Sequence, residues 1–171
     1  MEILDELASM PEALEGLFAR VPAEARGWEP ESWEGFPGET FSALGQVCHV
    51  RDIELDGYRN RVARLLKEEQ PCLVSLDSYA IARERRYAEQ DPAAALSAFR
   101  RARAETIEML GSVRAADWSR RGYLEGYGPV TLAGLAHFLA SHDRQHLACL
   151  HWLLGKIVSF SATPRTAPSP A

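Results

Sequence analysis

An all-α four-helix bundle is the fold class that this sequence of 171 residues predicts. Three observations lead there. Four stretches of about 20 residues carry apolar side chains at helical spacing. No stretch sustains the every-second-residue alternation of a half-buried strand. The segments between the helices are punctuated by Pro and Gly. A shorter extra helix and long loops complete the pattern, and a chain of this length can bury one sizeable core.

The first helix spans roughly Glu2 to Arg20, with Leu4, Leu7, Ala8, Leu14, Leu17 and Phe18 at helical spacing. Pro11 is a candidate break, with Ser9 as the cap of a second piece. A loop rich in Pro, Gly and Trp follows, from Val21 to Glu39. The second helix starts at Ser42, a good N-cap, runs to about Glu69 and is stopped by Pro71. The short helix is expected from Leu76 to Ala88, capped by Asp77 or Ser78. Asp91-Pro92 opens the third main helix as an N-cap followed by a proline at the first helical position. That helix continues through Leu96, Phe99, Ala102, Thr106 and Leu110 to Gly111. Gly122 to Pro129 reads as a loop. The fourth helix begins after Thr131 and runs to about Leu154, with Gly155 as its stop. Residues 1–158 thus form the bundle domain, and 159–171, rich in Pro, Ala and Ser, read as a tail outside the core.

Apolar residues make up 46% and charged residues 25%, an ordinary globular composition that excludes the disordered and membrane classes. The net charge of -5 argues against nucleic acid as the partner. Arg83, Arg85 and Arg86, with Arg100, Arg101 and Arg103, read as a solvated helix face rather than a phosphate site. Cys48, Cys72 and Cys149 match no zinc or redox spacing and suit a reducing, cytoplasmic setting. The acidic start at Glu2, Asp5 and Glu6 is unlike a signal peptide. Leu147 to Phe160, broken by His151 and Lys156, is too short and polar to span a bilayer, so no membrane partner is expected.

The fourth helix holds Ser141-His142-Asp143-Arg144-Gln145-His146. His142 and His146 lie about 40° apart around a helix and one turn apart along it, so both rings can reach one cation. Leu132, Leu135, Leu139, Leu150 and Leu153 fall within about 80° of His142, as do Phe138, Gln145 and Cys149. The pair therefore faces the core, where two imidazoles cost free energy unless hydrogen-bonded or ligated. These residues alone leave both explanations open. His137 and His151 lie on the opposite face, as surface or interface residues. His49 is the remaining histidine. It lies near Asp52, Ile53, Asp56 and Asn60, off the stripe of Leu44, Val47, Leu55, Tyr58, Val62 and Leu65. That spacing suits either a surface residue or one wall of a polar cleft at the edge of the bundle.

Two runs carry a resemblance. One is Phe41-Ser42-Ala43-Leu44 leading into His49-Val50-Arg51-Asp52-Ile53-Glu54. The other is Gly128-Pro129-Val130-Thr131-Leu132 followed by His142-Asp143-Arg144-Gln145-His146-Leu147. With the segment from Tyr87 through Asp91-Pro92 and Phe99 to Leu110, they make the chain resemble the DinB-like superfamily of metalloenzymes. Phe41 departs from it, standing where the family often has Trp. The resemblance implies a four-helix bundle, often a homodimer, with one divalent metal ion on three histidines: His49 from the second helix, His142 and His146 from the last. Zinc or nickel is implied, with iron as a third candidate.

The implied chemistry is activation of a water or a thiol, as in a thiol transferase or a hydrolase. Its substrate is a small molecule, with a low-molecular-weight thiol as the candidate cosubstrate. A non-catalytic metal-binding or stress-related helical scaffold is the alternative, and whether the chain is an enzyme stays open. By helical position, Asp52, Asp56 and Gln145 are candidates to support the ligands, and Asp143 can point either inward or outward. Cys48 and Cys149 are expected to pack as small hydrophobes. The loops 21–39, 70–90 and 118–130, with Trp28, Trp33, Trp118, Tyr123 and Tyr127, are expected to frame the pocket mouth. Ala136, Leu147 and Leu154 form a strip that suits a second helix or subunit.

Overall fold

Four helical rods carry the fold in the computed structural model, which describes residues 2–162. The first rod is α1 (Glu2–Ala19). The second is continuous and composite: α2 (Ala43–Asp52), a π-helical turn (Ile53–Tyr58) and α3 (Arg59–Lys67). After the short α4 (Ser78–Glu84) come α5 (Pro92–Gly111) and α6 (Leu132–Ala162). The starts follow the expected capping chemistry. Ser42 Oγ accepts from Gly45 N at 3.2 Å and Asp77 from Ala80 N at 2.9 Å. Asp91 accepts from Ala93 N and Ala94 N, beside a proline with no N–H to satisfy.

Two expected helix breaks are absent. Helix α1 runs through Pro11, and Ser9 Oγ donates to Glu6 O instead of capping a new helix. Pro11 leaves the Leu7 carbonyl without its usual donor, and Arg103 Nη1 supplies one at 3.1 Å. Helix α6 runs past Gly155 to Ala162. A glycine inside a helix costs about 1 kcal/mol, which burial beyond it offsets: Ile157 is buried and Phe160 meets the edge of Trp28. Of the expected tail, residues 159–162 continue this helix and 163–171 lie outside the described residues.

The expected loop at 122–129 is part of a small sheet. Strands β2 (Arg121–Leu124) and β3 (Gly128–Thr131) pair antiparallel, and β1 (Cys72–Leu73) runs parallel to β2. Leu73, Leu124 and Val130 form its buried face. Gly122 is required by close approach, since a Cβ there would come within 2.9 Å of both Leu65 and the Pro71 carbonyl. Gly126 turns the hairpin at φ +80.

Helices α5 and α6 each pack against both α1 and the second rod. The first rod thus lies diagonally opposite the second, and α5 opposite α6. The apolar core falls into two clusters. One gathers Met10, Leu14, Val47, Phe99 and Leu153; the other gathers Leu7, Leu65, Leu110, Leu135 and Leu139. Among them on the second rod, α5 and α6 come the buried polar side chains Gln46, His49, Asp52, Glu54, Arg103, Thr106, Asp143 and His146, of which Asp52, Arg103, Thr106, Asp143 and His146 fall between the two clusters in sequence. A polar layer therefore divides the core across the bundle. Ala136 and Leu154 are buried in this same core and Leu147 is half-buried, so that strip is covered within the chain. Among the described residues, no helix is long and apolar enough to cross a membrane.

Candidate metal centre

His49, His142 and His146 meet in the polar layer. His49 Nε2 stands 3.2 Å from His142 Nε2, and His142 Nε2 stands 3.0 Å from His146 Nε2. The ligand atoms of the three rings lie within 4.8 Å of one another. Two nitrogens bound tetrahedrally to one zinc at about 2.0–2.1 Å are roughly 3.3 Å apart, so the cluster fits a single ion. His49 is 0% and His146 2% exposed, while His142 is partly open. Burial pushes the His49 pKa down to about 4, against the raising effect of Glu39 and Asp52. Burial and mutual repulsion hold His142 and His146 well below 6.5. All three are neutral near pH 7, the form that ligates a metal.

Gln46 decides which nitrogen His146 offers. Its amide nitrogen donates to the carbonyls of Glu39 at 3.0 Å and Phe41 at 3.2 Å, and lies 3.0 Å from Cys149 Sγ. That fixes the amide so that Oε1 faces His146 Nδ1 at 2.5 Å. His146 Nδ1 therefore donates, and its Nε2 keeps a bare lone pair aimed at the cluster. Nδ1 of His49 and of His142 are buried without partners among the described residues. With His146 Nε2 bare, one N–H on His142 can serve only one neighbour. A cation at the convergence point would satisfy all three lone pairs.

His49 and His142 of the cluster form one wall of a cavity of about 100 Å³. His49, Ile53, Tyr58 and Arg61 of the second rod all line it, with His142 and Glu39. In an unbroken α-helix, His49 would stand about 180° from Tyr58 and about 120° from Arg61. The π turn between them holds an extra residue and takes back about 100°, which brings these side chains onto one face. Glu39 Oε1 lies 3.9 Å from His49 Nε2.

Beside the histidines, Arg103 of α5 is 1% exposed and reaches the three other rods. It donates to Leu7 O of α1, to Glu54 of the π turn at 2.8 Å and to both oxygens of Asp143 of α6 at 2.6 and 3.0 Å. Two buried carboxylates, Glu54 and Asp143, thus share one guanidinium beside the histidines.

The histidines did not come together in the way periodicity suggested. His49 is no surface residue, because α2 is buried around nearly its whole circumference by α4, α5, α6 and the turn at Tyr87, and its ring lines the polar cavity with Glu39 and Arg61. Asp52 receives Tyr87 Oη at 2.8 Å and pairs with Arg51 and Arg85; Asp56 pairs with Arg85. Neither touches a histidine among the described contacts. Gln145 points to solvent, since α6 is covered through Asp143, His146 and Cys149. Asp143 points inward. Arg103 is not on a solvated face.

His137 and His151 are exposed. Cys48 and Cys149 are buried thiols whose pKa values burial raises to about 11 and 12. Of the five loop aromatics, Tyr127 lines the cavity, whereas Trp28 and Trp33 pack on Phe160 and Trp152. Gln46, Glu39, Tyr58 and Arg61 were not singled out by sequence. Gln46 carried one usable signal, its place three residues before His49 on the same helix.

The family model of the DinB superfamily matches residues 6–150. None of the curated protein sequences matches the chain significantly. Among solved structures, the chain is similar to YfiT from Bacillus subtilis, described as a probable metal-dependent hydrolase with an unusual four-helix bundle topology. The TM-score is 0.79 at 18% identity, over 92% of this chain and 86% of that one. At that identity the likeness concerns the fold.

Proposed function

Because the chain belongs to the DinB superfamily, we propose that His49, His142 and His146 bind one divalent metal ion and that the centre activates a nucleophile against a small-molecule substrate. The observation that carries this reading is the convergence of three neutral Nε2 atoms, one with its tautomer set by Gln46. Hydrolysis leads among the reactions, in keeping with the description of YfiT, and transfer of a thiol is the second. Zinc, nickel and iron all accept imidazole ligands.

When bound, the ion supplies the acidity that makes a water or thiol nucleophilic near neutral pH. The protein's own groups do the rest. Glu39, at the cavity wall and partly open to solvent, takes the proton from the nucleophile. Tyr58 is 6% exposed, and burial raises its pKa, so its hydroxyl stays protonated and can donate to negative charge that develops on the substrate. The enclosing walls, Ile53, Leu76 and Leu124 among them, limit water around the reacting atoms.

Metal analysis of protein purified without a histidine tag tests the centre. About one ion per chain is expected, lost in the His142→Ala, His146→Ala double variant. Less than about 0.1 ion per chain after supplementation with zinc, nickel and iron would overturn the reading. Ester and thiol-acceptor panels then test catalysis. Glu39→Gln should lower turnover on the order of a hundredfold while the metal content stays unchanged.

A further inference from the structure

We propose that Arg61 is an anion-recognition residue and that the molecule taken by this site carries a carboxylate a few atoms from its reacting group. The inference rests on the cavity beside the proposed metal centre and deepens that reading.

Arg61 is half-buried and lines the same cavity as His49 and His142. The guanidinium has no carboxylate partner among the described residues. Nη2 donates to the Val74 carbonyl at 2.8 Å, the group stacks over Tyr58 at 5.3 Å, and Nε is buried with no partner. Desolvation without a counter-ion is costly, and burial pulls the pKa of Arg61 down. The contrast with Arg103 is informative: there two carboxylates and a carbonyl answer the charge. An arginine held in place by one backbone carbonyl and an aromatic face, with donors left over, is arranged to receive a planar anion from outside.

The surroundings add to this. Ser75, Ser78 and Tyr127 also line the cavity and bring hydroxyl groups to it. Among the described residues, the one acidic side chain there, Glu39, belongs to the side of His49. A cavity of about 100 Å³ has room for roughly three waters, or for a carboxylate and one or two carbons, with the rest of a longer molecule outside. A carboxylate on Arg61 therefore sets the reacting atom of a short acid near the histidine cluster.

The test compares glycolate with its neutral amide, glycolamide, by ligand-observed NMR titration of the full chain, in metal-free and cobalt-loaded forms. Metal-free wild-type protein should prefer glycolate by at least about tenfold, the scale of hydrogen bonds to a charged group. Arg61→Gln should bring that preference below about twofold, and Arg61→Lys, which keeps the charge but loses the planar fork, should fall between. Thermal melting identifies a variant that fails to fold, and Arg61→Lys then carries the comparison. No preference in the wild type, or an unchanged preference in Arg61→Gln or Arg61→Lys, would overturn the proposal. So would a preference that arises only with cobalt and survives Arg61→Gln, because the ion would then hold the carboxylate. If the protein takes up no ion at all, the metal reading fails by itself, and the metal-free titration still decides the role of Arg61.

Discussion

Gln46 Oε1 accepts a hydrogen bond from His146 Nδ1 at 2.5 Å, while the same amide's nitrogen is held by two backbone carbonyls. The glutamine thus transmits the geometry of the loop before α2 to a ring on α6. Gln46→Leu should keep the fold but weaken binding of zinc by about 10- to 100-fold, the usual effect of removing a partner that orients a ligand. Competition with a chromophoric chelator measures it. An unchanged affinity would show that His146 needs no such support.

Arg103→Met should leave Glu54 and Asp143 buried and facing each other without a counter-charge. The expected loss is on the order of 3–5 kcal/mol in urea unfolding, a large share of a typical domain's stability. Adding Glu54→Met and Asp143→Leu should recover most of it, since an apolar layer replaces such a cluster at little cost. A loss under about 1 kcal/mol in the single variant would contradict this account.

Acid should destabilise the metal-free protein. The pKa of His49 is lowered from 6.5 to about 4, and those of His142 and His146 are lowered too, because burial disfavours the charged rings. Their contribution is complete above about pH 6.5 and is lost as pH falls through the folded values. For His49 alone, the loss by pH 5 is on the order of 2 kcal/mol. Asp143 acts in the opposite sense. Burial raises its pKa to about 6 despite Arg103, so its contribution is present below 3.8 and lost as pH rises through 6. Three rings outweigh one carboxyl, and the melting temperature of chelated protein should fall between pH 7 and pH 5. A flat profile would mean that the rings are not neutral and buried together.

Gly155→Ala should stabilise the protein. The position is inside α6, exposed, and a Cβ there meets no atom of the described residues within 4 Å. A gain of about 0.4–1 kcal/mol is expected in denaturant titration. A loss would indicate that α6 does not continue through this residue in solution.

The helix starts at Ser42, Asp77 and Asp91 were legible because each carries its own local chemistry. The sheet was not: β1 has two residues and the others four, too few for alternation to register. Of the site, the inward face of His142 and His146 followed from 3.6-residue spacing. His49 did not, for two reasons. Periodicity assumes that a helix has one solvent face, and α2 has almost none. It also assumes a constant turn per residue, and the π turn at Ile53–Tyr58 breaks that assumption between His49 and the residues that share its cavity. Family resemblance, which matches positions and not angles, is insensitive to both. Arg103 was misread because a charge run is normally solvated, and only tertiary contacts reveal two buried acids waiting for one of its members.

Pro11 looks like a flaw in α1, and its consequence is a matter of alignment. Every other carbonyl in the middle of that helix is spoken for by the next turn, while the proline leaves the one at Leu7 free for Arg103. Were α1 to slide by a single residue along its neighbours, a satisfied carbonyl would face the guanidinium. The proline thus acts as a notch that sets the axial position of α1, much as a key is cut to stop at one depth in its lock.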